Sequence, residues 1–154
     1  MYTLTQPHLI ASILQDLHLT QHNTKSRPVP ALMTHLLISD DEGAPFDHSF
    51  DYRSMIGKLN YLEKSTRPEI AYTVHQCACF CANPKKSHGE AVKLIGRYLL
   101  GTANKGLILR PNDTSFDCYV DASHTGEWHQ TNAENDPTTA RLRTGYALMY
   151  GIAL

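Results

Sequence analysis

The middle of the chain reads YRSMIGKLNYLEKS over residues 52–65 and TRPEIA over residues 66–71. The first stretch repeats apolar residues at helical spacing, which predicts a helix over Asp51–Lys64 with one buried face. The residues predicted to line that face are Tyr52, Met55, Ile56, Leu59 and Leu62. In the second stretch, Thr66 and Glu69 have the spacing of a capping box, so a further helix is expected to begin at Thr66.

Helices are predicted on both sides of this segment, and strands follow them. The periodicity indicates helices over Thr5–Leu17 and from Ser87 to Gly101, the latter with Ser87 and Glu90 as a second capping box. The pattern then changes to period two. This predicts strands over Gly106–Leu109, Phe116–Val120 and Thr144–Tyr150, with the last two pairing antiparallel. A turn is expected at 111–113 and a polar loop over 124–143.

The predicted fold class is therefore α+β, with a helical region followed by an incomplete antiparallel sheet. The boundary is expected near Pro111, so the predicted domains are residues 1–111 and 112–154. The composition, 42% hydrophobic and 19% charged in 154 residues, is that of a globular protein.

The sequence favours an intracellular protein, cytoplasmic or nuclear, without a membrane partner. No apolar run approaches the roughly 18 residues that cross a bilayer. The N-terminal residues lack the basic start of a signal peptide. The four cysteines, three of them crowded between Cys77 and Cys81, make a poor disulfide framework.

The net charge of −1 hides a strong partition along the chain. Residues 53–110 carry ten of the fourteen Lys and Arg residues against three acids, a balance of +7, and the two flanking regions are acidic. A basic segment can attract the backbone of a nucleic acid. The alternative is an ordinary solvated helix surface.

Asp121 is the sharpest candidate for chemistry. It directly follows the apolar residues Cys118–Val120, and a carboxylate at the end of a strand is a common first ligand for Mg²⁺ in nucleases. The alternative is an aspartate that starts a turn. Tyr119-Val120-Asp121 also resembles a polymerase Tyr-x-Asp-Asp motif, but Ala122 stands where the second aspartate would be. One carboxylate is too few for two-metal chemistry.

Two other features have a functional and a structural interpretation. His75, Cys77, Cys79 and Cys81 could suggest a metal site, but on a helix Cys79 points away from Cys77 and Cys81, which favours core packing of the latter two. Trp128 could stack on a base or pack against its own loop, and packing is favoured.

Several stretches, in the same order and spacing, resemble the Pol polyprotein of copia-type retrotransposons. Residues 52–62 are similar to the family's YRSLVGSLLYL, and residues 66–71 to its TRPDIA. Further similar stretches are LTQPHLI at 4–10, NP at 83–84, RYLLGT at 97–102, YVDA at 119–122 and TARLRTGY at 139–146. The resemblance covers nearly the whole chain.

The resemblance implies the C-terminal part of a reverse transcriptase, of thumb or connection type, followed by the start of an RNase H-like domain. The family copies RNA into DNA and degrades the RNA strand of the hybrid, with Mg²⁺ as cofactor. Asp121 then matches the first RNase H metal ligand. The palm aspartates and the later RNase H carboxylates have no counterpart in this sequence, so we predict an incomplete metal site, no stably bound metal and no activity of the chain alone.

The same resemblance implies that the basic segment, residues 53–110, guides the primer–template duplex. The predicted phosphate contacts are Lys58, Lys64, Arg67, Lys85, Lys86, Lys93 and Arg97. The expected partners are an RNA–DNA hybrid or another nucleic acid, bound weakly, and the rest of a Pol polyprotein. The alternative function is a non-enzymatic nucleic-acid-binding module retained from such an element.

Overall fold

The structure, a computed structural model of the chain, describes residues 1–31, 37, 39–109, 115–123 and 143–150. These residues form an α+β protein, as predicted. The chain divides into two units, one of Leu4–Leu107 and one of Met1–Thr3 with Ile108–Leu154. The predicted turn at 111–113 and the loop that contains Trp128 lie outside the described residues. No described helix is long and apolar enough to cross a membrane.

The unit Leu4–Leu107, called the helical unit below, holds every helix that the described residues form. They are α1 (Pro7–Asp16), α2 (Tyr52–Ser65), a 3-10 helix (Pro68–Ile70), α3 (Ala71–Ala78) and α4 (Lys86–Gly101). The predicted helices are confirmed within a few residues. The third differs in its first turn, because Pro68 opens a 3-10 helix before α3 begins.

The helices pack around one hydrophobic core. α1 contacts α2 and α4, and α3 contacts the same two helices. All five residues predicted for the apolar face of α2 are buried. They meet buried residues of the other helices, which include Ile10, Ile13, Ile70, Val74, Cys77, Val92, Ile95 and Leu99. Burial of these side chains is the main stabilising term of the unit.

The two predicted capping boxes are wrong. The Thr66 hydroxyl donates to Oε1 of Gln6 at 2.9 Å, and the Ser87 hydroxyl donates to Oδ2 of Asp40 at 2.7 Å. α4 begins at Lys86, and Nδ1 of His88 accepts the backbone N–H of Lys85 at 3.0 Å. Both hydroxyls therefore hold distant chain segments instead of helix ends.

In the described parts of the chain, four strands form two small sheets. β1 (Tyr2–Leu4), which the sequence did not predict, pairs with β2 (Leu107–Leu109). β3 (Phe116–Ser123) and β4 (Arg143–Tyr150) pair antiparallel, from Phe116 opposite Tyr150 to Ser123 opposite Arg143. The predicted antiparallel pairing is therefore confirmed, over slightly longer strands.

Candidate functional site

Asp121 lies near the end of β3 and its side chain is exposed. Its partner across the hairpin is Gly145, which has no side chain to offer. Asp117 shares its face of the strand, but four residues of strand separate the two by about 13 Å. Ala122 lies on the opposite face, across from Thr144.

These residues do not fit a magnesium site. Mg²⁺ takes oxygen ligands at about 2.0–2.1 Å, so Asp117 and Asp121 cannot share one ion. No group of three or more His, Cys, Asp or Glu side chains that could hold a metal is present among the residues that the structure describes. Glu127, Glu134 and Asp136 lie outside those residues. No metal-dependent step can be derived from Asp121 alone.

Three of the seven predicted phosphate contacts are engaged inside the protein. Lys58 donates to Asp16 at 2.6 Å and to the Ser12 hydroxyl at 2.9 Å, so it joins α2 to α1. Lys85 donates to the backbone oxygens of Asp41 at 3.2 Å and Gly43 at 3.5 Å. Lys93 contacts Glu90 at 3.5 Å. A phosphate would have to compete with these partners.

Lys64 and Lys86 are the predicted contacts best placed to meet a phosphate. Both are exposed, and within the described part of the chain neither side chain makes a hydrogen bond or an ion pair. Lys64 lies in the last turn of α2, and Lys86 is the first residue of α4. Arg97 is half-buried, and its Nε is buried without a hydrogen-bond partner among the described residues.

Arg67 is in the interior, with only 1% of its side chain exposed. Its guanidinium donates to Glu69 at 2.6 Å, to the Thr102 hydroxyl at 2.6 Å and to the Thr102 carbonyl at 3.0 Å. It also lies 5.5 Å from the centre of the Tyr98 ring. The guanidinium thus ties the start of the 3-10 helix to the end of α4. Buried in this way, it presents no charge to a phosphate in the solvent.

The His and Cys residues of α3 and the loop after it do not converge on one point. Nε2 of His75 lies 3.2 Å from Oε1 of the buried Glu63, while Cys79 is exposed. Cys77 is buried in the core, and Cys81 packs against it. This agrees with the core packing that the helical spacing favoured for Cys77 and Cys81. Burial raises the pKa of the Cys77 thiol to about 12, which keeps it protonated and unreactive.

A cavity of about 510 Å³, which the sequence gave no sign of, lies beside the start of α2. Phe46, Phe50 and Tyr52 form its aromatic wall and meet edge to face or stacked. Cys81 also lines it, but burial raises the pKa of this thiol, so it is a weak nucleophile. Phe46 and Phe50 of the wall belong to the hydrophobic core and pack the segment before α2 onto it, which is a structural role.

Among the relatives that are similar over about half of the chain are two Pol polyproteins. The "Retrovirus-related Pol polyprotein from transposon RE1" of Arabidopsis thaliana is 41% identical over 78 residues, 50% of the chain. The corresponding polyprotein from transposon TNT 1-94 of Nicotiana tabacum is 42% identical over 76 residues, 49% of the chain. The chain is related to the Pol polyproteins of copia-type transposons. The matched segments make up only 5% and 6% of these Pol polyproteins.

A further similarity extends beyond that half. An "Uncharacterized mitochondrial protein" of Arabidopsis thaliana is 26% identical over 148 residues, which is 96% of the chain and 56% of that protein. No family model matches the chain, and no solved structure matches it. The Pol relationship of the chain therefore rests on sequence similarity to the polyproteins themselves.

Proposed function

We propose that the chain is a segment of a copia-type Pol polyprotein. Residues 1–111 then correspond to the C-terminal part of a reverse transcriptase, of thumb or connection type. Residues 112–154 correspond to the start of an RNase H-like domain. The observation that carries the proposal is the 41–42% identity to two Pol polyproteins. The order of the elements supports it, since the helices of the helical unit precede the β3–β4 hairpin along the chain. RNA-directed DNA synthesis and hybrid cleavage are activities of the full-length family.

By itself the chain has neither activity. Phosphodiester chemistry of this kind needs several carboxylates around divalent metal ions, and the described residues bring only Asp121 to the predicted position. The test is a hybrid-cleavage and primer-extension assay with Mg²⁺ or Mn²⁺. We expect no turnover, and the same low background from Asp121→Asn. Turnover that Asp121→Asn abolishes would overturn this part of the proposal.

The helical unit contributes weak contacts to the phosphates of an RNA–DNA hybrid. Of the seven cations that the sequence predicts as phosphate contacts, Lys64 and Lys86 are the principal ones. Both are exposed, whereas Arg67 is buried. Binding through such contacts releases counterions, so it weakens steeply with salt.

The binding test is fluorescence anisotropy with a labelled hybrid at 50 and 200 mM salt. Lys64→Glu with Lys86→Glu should weaken binding and flatten its salt dependence. Lys25→Glu is the matched control, since Lys25 is also exposed but lies outside the basic segment. Undetectable binding at low salt, or equal losses in all variants, would refute the nucleic-acid role. Binding without turnover, even after addition of other parts of a Pol polyprotein, would favour the non-enzymatic binding module.

A further inference from the structure

Three consecutive acids form a tight turn in the chain between α1 and α2. The turn consists of Asp40–Gly43 and is called the acidic turn below. Its backbone closes through the N–H of Gly43, which donates to the Asp40 carbonyl at 3.0 Å. A Cβ at Gly43 would overlap the carboxylate of Asp40. That carboxylate therefore lies directly against Gly43, and its position requires a residue without a side chain there.

The acidic turn is bound to the start of α4 by polar contacts. The Ser87 hydroxyl donates to Oδ2 of Asp40 at 2.7 Å. Nζ of Lys85 donates to the carbonyl oxygens of Asp41 at 3.2 Å and Gly43 at 3.5 Å. Because Lys85 is one of the predicted phosphate contacts, the turn occupies a cation that a nucleic-acid backbone would also use.

The residues after the turn are anchored more firmly than the turn itself. The backbone N–H of Lys86 donates to the Ala44 carbonyl at 2.9 Å. Phe46 is buried in the core and packs closely on α4, since a Cβ at Gly89 would lie 2.5 Å from its ring. The contacts of the turn with Ser87 are polar and near the surface, so the turn can leave α4 while Phe46 stays in the core.

The acidic turn opposes the approach of a phosphate to the start of α4. Asp41 and Glu42 are exposed, and their carboxylates, together with that of Asp40, repel a phosphate group. Lys85 is already bonded to carbonyl oxygens of the turn, so a phosphate gains its attraction only by breaking those bonds. The turn therefore competes with a nucleic-acid backbone for the same polar groups.

We propose that the acidic turn is an autoinhibitory contact, which an RNA–DNA hybrid must displace from Lys85 and Ser87 in order to bind at the start of α4. The proposal rests on the proposed function, in which the helical unit contacts a hybrid. A ligand that binds only the displaced arrangement has its affinity reduced by the fraction of molecules in which the turn is closed. Loosening the turn therefore tightens binding.

The experiment is fluorescence anisotropy of a labelled RNA–DNA hybrid at 50 mM salt, with the full chain and three variants. Gly43→Ala and Ser87→Ala disrupt the contact without a change of charge, and Asp40→Ala removes the contact together with one charge. We expect each variant to bind the hybrid roughly threefold tighter than the wild type, the size of effect typical for one polar contact near the surface.

Asp117→Ala is the matched control for charge. Asp117 is half-buried, as Asp40 is, but it belongs to the β3–β4 hairpin and not to the helical unit. Its removal changes the net charge by the same amount and leaves the acidic turn in place. We expect its affinity for the hybrid to stay close to that of the wild type. Equal tightening by Asp117→Ala and Asp40→Ala, without an effect of Ser87→Ala, would reduce the result to net charge and overturn the proposal.

The failure of the contact and the failure of the proposed function give different results. If the wild type binds the hybrid but Gly43→Ala and Ser87→Ala bind it no tighter, the autoinhibitory contact is refuted and the nucleic-acid role stands. If neither the wild type nor Asp40→Ala binds, both are refuted. Far-UV circular dichroism shows whether each variant folds, and Ser87→Ala, which changes only a surface hydroxyl, decides the matter even where Gly43→Ala does not fold.

Discussion

The helical unit buries its large apolar side chains, whereas the β3–β4 hairpin exposes them. In the helical unit, Leu59, Leu62 and Leu99 have no exposed surface, whereas Val120 and Tyr146 of the hairpin are 68% and 75% exposed. Both regions follow the periodic pattern of their secondary structure, at 3.6 and 2.0 residues. The difference teaches that a periodic sequence pattern is enough to form a helix or a strand with one apolar face. That face becomes part of a hydrophobic core only when a second layer packs on it.

The largest predicted effect is on the free energy of unfolding, and it should differ between the two regions. Leu59→Ala removes a fully buried side chain and should cost about 2–5 kcal/mol of unfolding free energy, because a cavity remains in the core. Leu148→Ala, the matched change in the exposed hairpin, should cost less than about 0.5 kcal/mol in dilute protein. Urea unfolding followed by far-UV circular dichroism measures both. Similar costs for the two variants would contradict the contrast.

Arg67 gives the next largest effect. Arg67→Ala should cost about 2–4 kcal/mol, because it removes a buried guanidinium and leaves the Thr102 carbonyl without that donor. Arg67→Lys should recover only part of this loss, since an ammonium cannot reproduce the planar set of donors. Lys64→Ala, at an exposed position, should stay within about 0.5 kcal/mol of the wild type. A stable Arg67→Ala that instead loses hybrid binding would place Arg67 in the interface.

Two glycines of the helical unit allow a closely packed position, Gly89, to be compared with an open one, Gly57. A Cβ at Gly89 would lie 2.5 Å from the Phe46 ring, so Gly89→Ala should cost about 1–3 kcal/mol. At Gly57, within α2, a Cβ meets nothing within 4 Å, so Gly57→Ala should stabilise by about 0.5–1 kcal/mol. Thermal unfolding of both variants measures the difference. The same sign for both would show that α4 does not approach Phe46 this closely.

The smallest effect concerns cysteine ionisation. Burial holds the pKa of Cys77 near 12, against an ordinary value of 9.0. Because the unfolded chain loses this proton first, the contribution of Cys77 to stability is complete below pH 9 and falls as the pH rises towards 12. The loss should be about 1 kcal/mol near pH 9.5. Cys77→Ala should remove this part of the loss of stability at high pH, as measured by urea unfolding at several pH values.

Alkylation provides an independent measure of the same burial. At pH 8, iodoacetamide should label the exposed Cys79 and Cys118 in the native protein and Cys77 only after unfolding. Mass spectrometry of the peptides reads out each site. Cys77 labelling as fast as Cys118 labelling would show that the core around α3 opens readily.

Predictions from local patterns succeeded where neighbouring residues in the sequence decide the structure. The buried face of α2 and the strands over Phe116–Val120 and Thr144–Tyr150 were predicted, because periodicity is a local signal. The capping boxes failed for the converse reason. Thr66 and Ser87 have partners 60 and 47 residues away, Gln6 and Asp40, and no local spacing reveals such partners.

The candidate site shows the same division. Seven cations were predicted as phosphate contacts from charge density and family resemblance, yet only the fold distinguishes the exposed Lys64 and Lys86 from the buried Arg67. Arg67 carries no sequence mark of burial, because its partners Glu69, Tyr98 and Thr102 converge through the packing of α4. The N-terminal strand β1 was missed as well, since three residues are too few for a periodic signal.

The sequence by itself determined the α+β class, the helices with their apolar faces, the hairpin and the relationship to copia-type Pol polyproteins, because periodicity, turn chemistry and motif order are properties of the linear chain. Only the tertiary structure decided which charges are buried, which hydroxyls bridge distant segments and which apolar face stays uncovered. Those outcomes depend on side chains that are far apart in sequence and meet only when the helices pack, so the free energy of each depends on neighbours that no local pattern specifies.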